Sequence, residues 1–303
     1  MQLSPKDVTV FQKTIVDHYK KSGRVFPWRE TRDPYAILVS EVMLQQTQAE
    51  RVVPFFTKWM KQFPTAKVLA RVPISAVLKV WQGLGYNRRA LNLKHAGEMI
   101  VKEYGGKIPV DIQKIDALPG VGPYTAGAIG AFAFNLPSAF IETNIRTVYL
   151  CFFFKGRRNV SDAEILEMVE QTLPGEKERH HPALTGNAFL TPPRLRHPSS
   201  SEEGRSQENI REWYSALMDY GAMLKATVGN ANIHSKSYIK QSVFKGSRRE
   251  LRGKILRLVT EKGRMTLGDA KKNTNGVSAE EVVSELTREG FLKKTGKSFR
   301  LAR

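Results

Sequence analysis

From residue 5 to residue 173, apolar side chains recur three and four positions apart, and regular two-residue alternation is missing. That spacing lines one face of a helix rather than one face of a strand, so it predicts an all-α core. "PYAILVSEVMLQQTQAERVVPFFTKWMKQF" reads as one or two helices. "ISAVLKVWQGLG" reads as another, stopped at Gly83 and Gly85, and "RRALNLKHAGEMIVKEYGG" as a third, closed by Gly105 and Gly106. "GPYTAGAIGAFAF" reads as a tightly packed helix of small residues. "NIRTVYLCFFF" reads as helix too, although its β-branched and aromatic residues leave a strand open.

Composition breaks after Leu173. Residues 174–207 are rich in proline, serine, histidine and charge, and read as a mobile insertion. His180 and His181 lie there without a second ligand cluster, so they read as loop histidines rather than a metal site. "REWYSALMDYGAMLK" restores helix. From about Gly246 the pattern becomes three short helices and a hairpin with Gly296 at its turn, which predicts a small winged helix-turn-helix-like domain over 245–303. That stretch holds 16 Lys and Arg against 7 Asp and Glu, which favours DNA contact over a mere packing or protein-contact role.

The whole chain of 303 residues holds 48 basic against 29 acidic residues, a formal +19 that points to a polyanionic partner. Hydrophobic residues at 41% suffice for real cores, and the length suggests two domains with a smaller third. The single cysteine, Cys151, sits in an apolar run and reads as a buried core residue. One cysteine excludes an intrachain disulfide and any four-cysteine zinc or iron–sulfur site. The amphipathic N-terminus does not read as a signal peptide and no apolar run spans a membrane, so an intracellular protein without membrane contact is expected.

The strongest local signal is "LPGVGPYTAGAI", Leu118 to Ile129. Pro119 stiffens the approach to the turn, and Gly120 and Gly122 allow positive φ and close backbone approach. Ala126, Gly127 and Ala128 let another helix lie close. Backbone N–H groups at such a helix start can hold a phosphate, although a plain helix–helix turn has the same pattern.

"ALPGVGPYTAGAIGAFAF" closely resembles the helix-hairpin-helix of DNA glycosylases related to endonuclease III. More narrowly, "FPWRETRDPYAILVSEVMLQQTQAERVVPFF", "VWQGLGYNRRALNL" and "EWYSALMDYGAMLK" resemble the MutY adenine glycosylases. The resemblance covers residues 8–173 and 208–225. It implies a mostly α, two-lobed helix-hairpin-helix glycosylase fold over 1–230, and a monomer acting on double-stranded DNA with a mispair or lesion.

Within that resemblance, Glu41 of "SEVMLQQT" matches the family's catalytic acid. A purine leaves a sugar well only once its ring nitrogen is protonated, and the apolar neighbours Val39, Val42, Met43 and Leu44 favour a protonated carboxyl. The family's second carboxylate, an Asp followed by Gly and Asn, matches Glu142, Thr143 and Asn144. It would stabilise the sugar oxocarbenium ion. Glu142 is one methylene too long, and the alternative is that it only caps the following helix. Tyr124 stands where bifunctional relatives carry a Schiff-base lysine, which implies glycosidic hydrolysis without strand cleavage.

The other matches concern base handling. Gln46 and Tyr86 resemble residues that wedge into the gap left by a flipped base, and Thr47 and Leu84 resemble residues near the orphan base. Trp28, Arg29, Leu44 and Tyr124 resemble the adenine pocket wall. Backbone carbonyls of Asp116, Leu118 and Val121 are expected to hold Na+ or K+. No other cofactor is required. Many relatives bind an iron–sulfur cluster, but the matching segment has no cysteine and Lys225 stands near the expected first ligand. MutY proteins also usually end in a Nudix-like domain that recognises 8-oxoguanine, and the C-terminal stretch is too short for one. The reaction implied is removal of adenine opposite 8-oxoguanine or guanine. The alternatives are another mismatched or deaminated base (hypoxanthine, uracil, thymine) and a non-catalytic DNA-binding homologue.

Overall fold

The computed structural model describes residues 1–174, 210–240, 243–272, 274 and 277–302. The expected insertion, with His180 and His181, lies outside the described residues except for Pro174. The chain runs through α1 (Pro5–Ser22), α2 (Pro34–Leu44), α3 (Ala49–Gln62), α4 (Ala66–Arg71), α5 (Ile74–Trp81), α6 (Arg88–Tyr104), α7 (Ile112–Asp116) and α8 (Pro123–Phe134). It continues through α9 (Thr143–Phe153), α10 (Asp162–Thr172), α11 (Ile210–Thr227), α12 (Arg248–Lys262), β1 (Met265–Thr266), α13 (Leu267–Lys271), α14 (Ala279–Arg288), β2 (Leu292–Thr295) and β3 (Ser298–Leu301). The fold is mostly helical, and the strand left open over "NIRTVYLCFFF" is the helix α9. No helix among the described residues is long and apolar enough to cross a membrane.

The chain packs as two units. One comprises Met1–Val25, Val110–Lys114 and Ala126–Tyr238. There α11 packs against both α9 and α1. Phe11 of α1 is enclosed by Tyr149 and Trp213, with ring centroids at 5.4 and 5.8 Å. Tyr214 stacks on Phe140 at 4.0 Å, and its hydroxyl donates to the Ser138 carbonyl at 2.6 Å. The small face of α8 receives both the segment after it, at Phe140, and Ile112 of the preceding helix α7. A Cβ on Gly127 would stand 3.1 Å from Phe140, and one on Gly130 would collide with Ile112 at 2.4 Å. Cys151 is only half-buried, because it lies on the α9 flank beyond the fully buried Val148 and Leu150.

The other unit comprises Phe26–Pro109, Ile115–Thr125 and Ile239–Arg303. Its central helix, α2, is buried from Tyr35 to Met43. A helix apolar on all sides belongs in a core, and this one is packed by aromatic residues. Trp59 donates to the Tyr35 hydroxyl at 3.2 Å and meets Trp81 edge-on at 5.6 Å. In the C-terminal stretch, α12, α13 and α14 pack with an antiparallel sheet of order β1-β3-β2. The expected hairpin is β2–β3, with Gly296 at φ 59°. The two-residue β1 pairs with β3 through Met265 and Phe299, a contact too short to announce itself by alternation.

Candidate active site

In the second unit, Glu41 lies in the last turn of α2 and is 4% exposed. The Tyr124 hydroxyl, from the first turn of α8, donates to its Oε2 at 3.2 Å. A buried carboxyl in a largely apolar helix is costly unless partnered, and the Tyr124 hydroxyl supplies such a partner. Leu44 is half-buried one turn on. Trp28 is 8% exposed and packed on both sides, stacked on Phe26 at 5.0 Å and edge-on to Phe56 at 5.5 Å. Arg29 lies over the Phe26 ring at 5.3 Å. Trp28 is thus held in the core of this unit by two aromatic neighbours.

The chain breaks between α2 and α3 at Gln45–Gln48. Gln46 is exposed there with φ 56°, and Tyr86 has φ 49°. Left-handed backbone is uncommon for residues with a Cβ and is retained where the surroundings enforce it, often at functional loops. Both turns are bonded to Arg89, which the sequence alone does not single out. Its guanidinium, 7% exposed, donates to the Val42, Met43 and Gln45 carbonyls, to Thr47 Oγ1 at 3.1 Å and to the Gly85 carbonyl at 3.2 Å. It thus caps α2 with a cation at its negative end and ties the Gln46 turn to the Tyr86 turn. Burial brings Arg89 down to about 10. The only hint in the sequence is a basic residue just inside a helix that follows a glycine-rich turn. Leu84 is 3% exposed, so it shapes the turn from beneath more than it presents a face.

The hairpin turn differs at its two glycines. Gly120 has φ 78°, and a Cβ there would stand 2.6 Å from Asn92. Gly122 is not at positive φ, contrary to expectation, and a Cβ there would meet nothing within 4 Å. Gly120 therefore serves the fold, whereas Gly122 keeps the outside of the turn open. Gln45 crosses to the turn, donating to the Gly120 carbonyl at 3.3 Å and to Thr125 Oγ1 at 3.4 Å. The Asp116 Oδ1 is buried without a hydrogen-bond partner among the described residues, and the Leu118 carbonyl accepts only the Val121 N–H at 3.0 Å. The unpartnered oxygen is thus on the Asp116 side chain, whereas the cation site expected here would use the backbone carbonyls of Asp116, Leu118 and Val121.

In the first unit, Glu142 is the N-cap of α9. Its Oε1 accepts from the Asn144 N–H at 2.7 Å and the Ile145 N–H at 2.8 Å, and Asn144 Nδ2 approaches Oε2 at 3.4 Å. The carboxylate folds back over its own helix start, as a capping side chain does. The residue is half-buried. That burial pushes its acid above the ordinary value, and the two N–H groups and the charges of Arg146 and Lys225 pull it back. Gly221 of α11 fixes the position of this helix start: a Cβ there would stand 2.2 Å from the Asn144 carbonyl oxygen. Among the described residues no cluster of three or more His, Cys, Asp or Glu could hold a metal, and one cysteine cannot supply four thiolates to an iron–sulfur cluster.

A family model of HhH-GPD superfamily base excision DNA repair proteins matches residues 39–186. The chain is 35% identical over 182 residues to an adenine DNA glycosylase of Buchnera aphidicola, covering 60% of this chain and 51% of that protein. It is 39% identical over 154 residues to an adenine DNA glycosylase of Rattus norvegicus, covering 48% of this chain and 30% of that one. The chain thus spans about half or less of the length of these two adenine DNA glycosylases. A thymine/uracil-DNA glycosylase of Methanothermobacter thermautotrophicus is 33% identical over 173 residues, covering 56% of this chain and 78% of that protein. The solved structure of a thermostable thymine-DNA glycosylase superposes with TM-score 0.57 at 26% identity, covering 75% of this chain and 91% of that one. By its hairpin turn, its buried Glu41 and these matches, the chain belongs to the HhH-GPD superfamily of base excision DNA repair proteins.

Proposed function

We propose that the protein is a monofunctional DNA glycosylase that hydrolyses the N-glycosidic bond of adenine mispaired with 8-oxoguanine or guanine. The observation that carries this reading is Glu41, a nearly inaccessible carboxyl in an apolar helix whose partner is the Tyr124 hydroxyl. Glu41 would deliver a proton to a ring nitrogen of the flipped base, so that neutral adenine leaves and the sugar becomes an oxocarbenium ion. Water then adds at the anomeric carbon and loses a proton. Acid catalysis of this kind is worth roughly 10² to 10⁴-fold. Glu142 would stabilise the sugar cation from the start of α9, with Asn144 holding it. Gln46 and Tyr86 would fill the gap in the stack, and the open face at Gly122 would admit a phosphate. A monovalent cation at the Asp116, Leu118 and Val121 carbonyls would brace the hairpin. Tyr124 cannot form a Schiff base, so no borohydride-trapped adduct with an abasic strand is expected.

A second reading, excision of thymine or uracil opposite guanine, is favoured by one observation: the relative covered over 78% of its length is named a thymine/uracil-DNA glycosylase. Duplexes with single A·8-oxoguanine, A·G, T·G or U·G pairs, treated with the protein and then alkali, separate the two. Cleavage confined to the adenine strand supports the first reading. Cleavage only at T·G and U·G replaces it with the second, and cleavage of none refutes both.

A further inference from the structure

In the second unit, a cleft of about 910 Å³ lies between the Gln82–Asn92 segment and α12. The α12 wall is one face of that helix, because Arg249, Gly253, Leu256, Arg257 and Thr260 recur three and four positions apart. The opposite wall carries Gln46 and Tyr86, the two non-glycine residues at positive φ that the proposed function puts in the base stack. The walls meet at Tyr86. Arg249 donates to its hydroxyl, and the guanidinium groups of Arg249 and Arg89 each lie 5.4 Å from its ring centroid. Residues 245–303, which supply Arg249, lie beyond the family match at 39–186.

Two further features bear on what fills the cleft. Lys and Arg outnumber acids in its lining by 7 to 1; Arg88, Arg252 and Lys254 are ion-paired with Glu289, Glu285 and Glu250, and the remaining excess suits a phosphodiester. Gly253 sits inside α12, where glycine is unfavourable relative to alanine, and no neighbour requires it: a Cβ there would meet nothing within 4 Å. The helix backbone is thus left open to close approach from the cleft side. An aromatic ring flanked by guanidinium groups, beside a cationic helix face with a bare backbone, matches a nucleotide of a DNA strand.

We propose that this cleft holds the strand facing the excised base, and that Arg249 is a specificity-determining residue there. Through its bond to Tyr86 it sets where that ring stands, and so which opposite base is accepted. The proposal rests on the glycosylase reading above, and its test does not need turnover. Dissociation constants would be measured by fluorescence anisotropy, at fixed salt, for duplexes with one tetrahydrofuran site opposite 8-oxoguanine, guanine, cytosine or thymine. Wild type would be compared with Arg249→Ala, Gly253→Leu and Lys293→Ala, the last removing an exposed cation on β2 outside the cleft lining. Thermal melts would check that each variant folds, and Gly253→Leu improves helix propensity.

Wild type is expected to spread its affinities across the opposite bases by about tenfold. Both cleft variants should compress that spread to about twofold, while Lys293→Ala weakens all four duplexes in parallel by less than about threefold. An unchanged spread in the cleft variants, a parallel loss like that of Lys293→Ala, or a wild type with no spread overturns the proposal. A wild type that keeps the spread yet releases no base refutes the glycosylase reading alone.

Discussion

Capping and desolvation act on Glu142 in opposite directions, and their balance has a pH signature. Its acid is raised in the native chain, so the native state holds that proton more tightly than the unfolded chain. Stability from this group is present below the ordinary carboxylate value of 4.5 and is lost as pH rises through the raised native value. Glu142→Gln keeps an oxygen for the Asn144 and Ile145 N–H groups and removes the titration. Its stability relative to wild type should therefore increase from about pH 4 to about pH 8 in urea melts. Asp162, with its acid lowered by bonds from Arg146 and Ser237, and Glu164, lowered to about 2, titrate in both proteins and cancel in the difference. A pH-independent difference would contradict the account. Glu142→Asp can still cap and should stay within about 0.5 kcal/mol of wild type. Its carboxylate retreats by about 1.5 Å, however, and single-turnover base release should fall by roughly 10²-fold. Arg89 is the other decisive residue. Arg89→Met strands several buried carbonyls, at about 1–3 kcal/mol for each left unsatisfied. A loss of at least about 3 kcal/mol in chemical denaturation is expected, and a loss under about 1 kcal/mol would show that water replaces the guanidinium.

The glycines separate fold from function at the level of elements. Gly120→Ala forces a Cβ into Asn92 at a positive φ and should lower the melting temperature. Gly122→Ala should melt with wild type yet bind duplex DNA several-fold more weakly, because its Cβ occupies only the open face of the turn. Equal melting of both variants would sink this distinction. The helices carrying these positions are legible from apolar spacing, and the turn from "PGVG", because both are local signals. The break between α2 and α3 is not, and the spacing there fits one helix or two, since the turn around Gln46 is tied down by the distant Arg89 through the Gln45 carbonyl and Thr47. Long-range requirements of that sort leave no trace in a short window. The closeness of Gly221 to Asn144 and the crossing of Arg249 to Tyr86 are hidden for the same reason. Glu142 is legible as a carboxylate at a helix mouth, and as a possible cap, but its folded-back geometry depends on the chain packed around it.

At the scale of the whole molecule, a formal charge of +19 should make DNA binding steeply salt-dependent, whatever the lesion. That dependence would attend any basic DNA-binding protein and cannot by itself establish excision. Two features go further, the buried acid at Glu41 and the family to which the chain belongs. They make the central claim a chemical one, that Glu41 transfers a proton to a departing adenine. The most direct measurement is the single-turnover rate of adenine release from an A·8-oxoguanine duplex for wild type and Glu41→Gln, with affinity for the same duplex measured in parallel. The account predicts a rate loss of roughly 10² to 10⁴-fold with affinity changed by less than about threefold. Release that survives Glu41→Gln at close to the wild-type rate would contradict it.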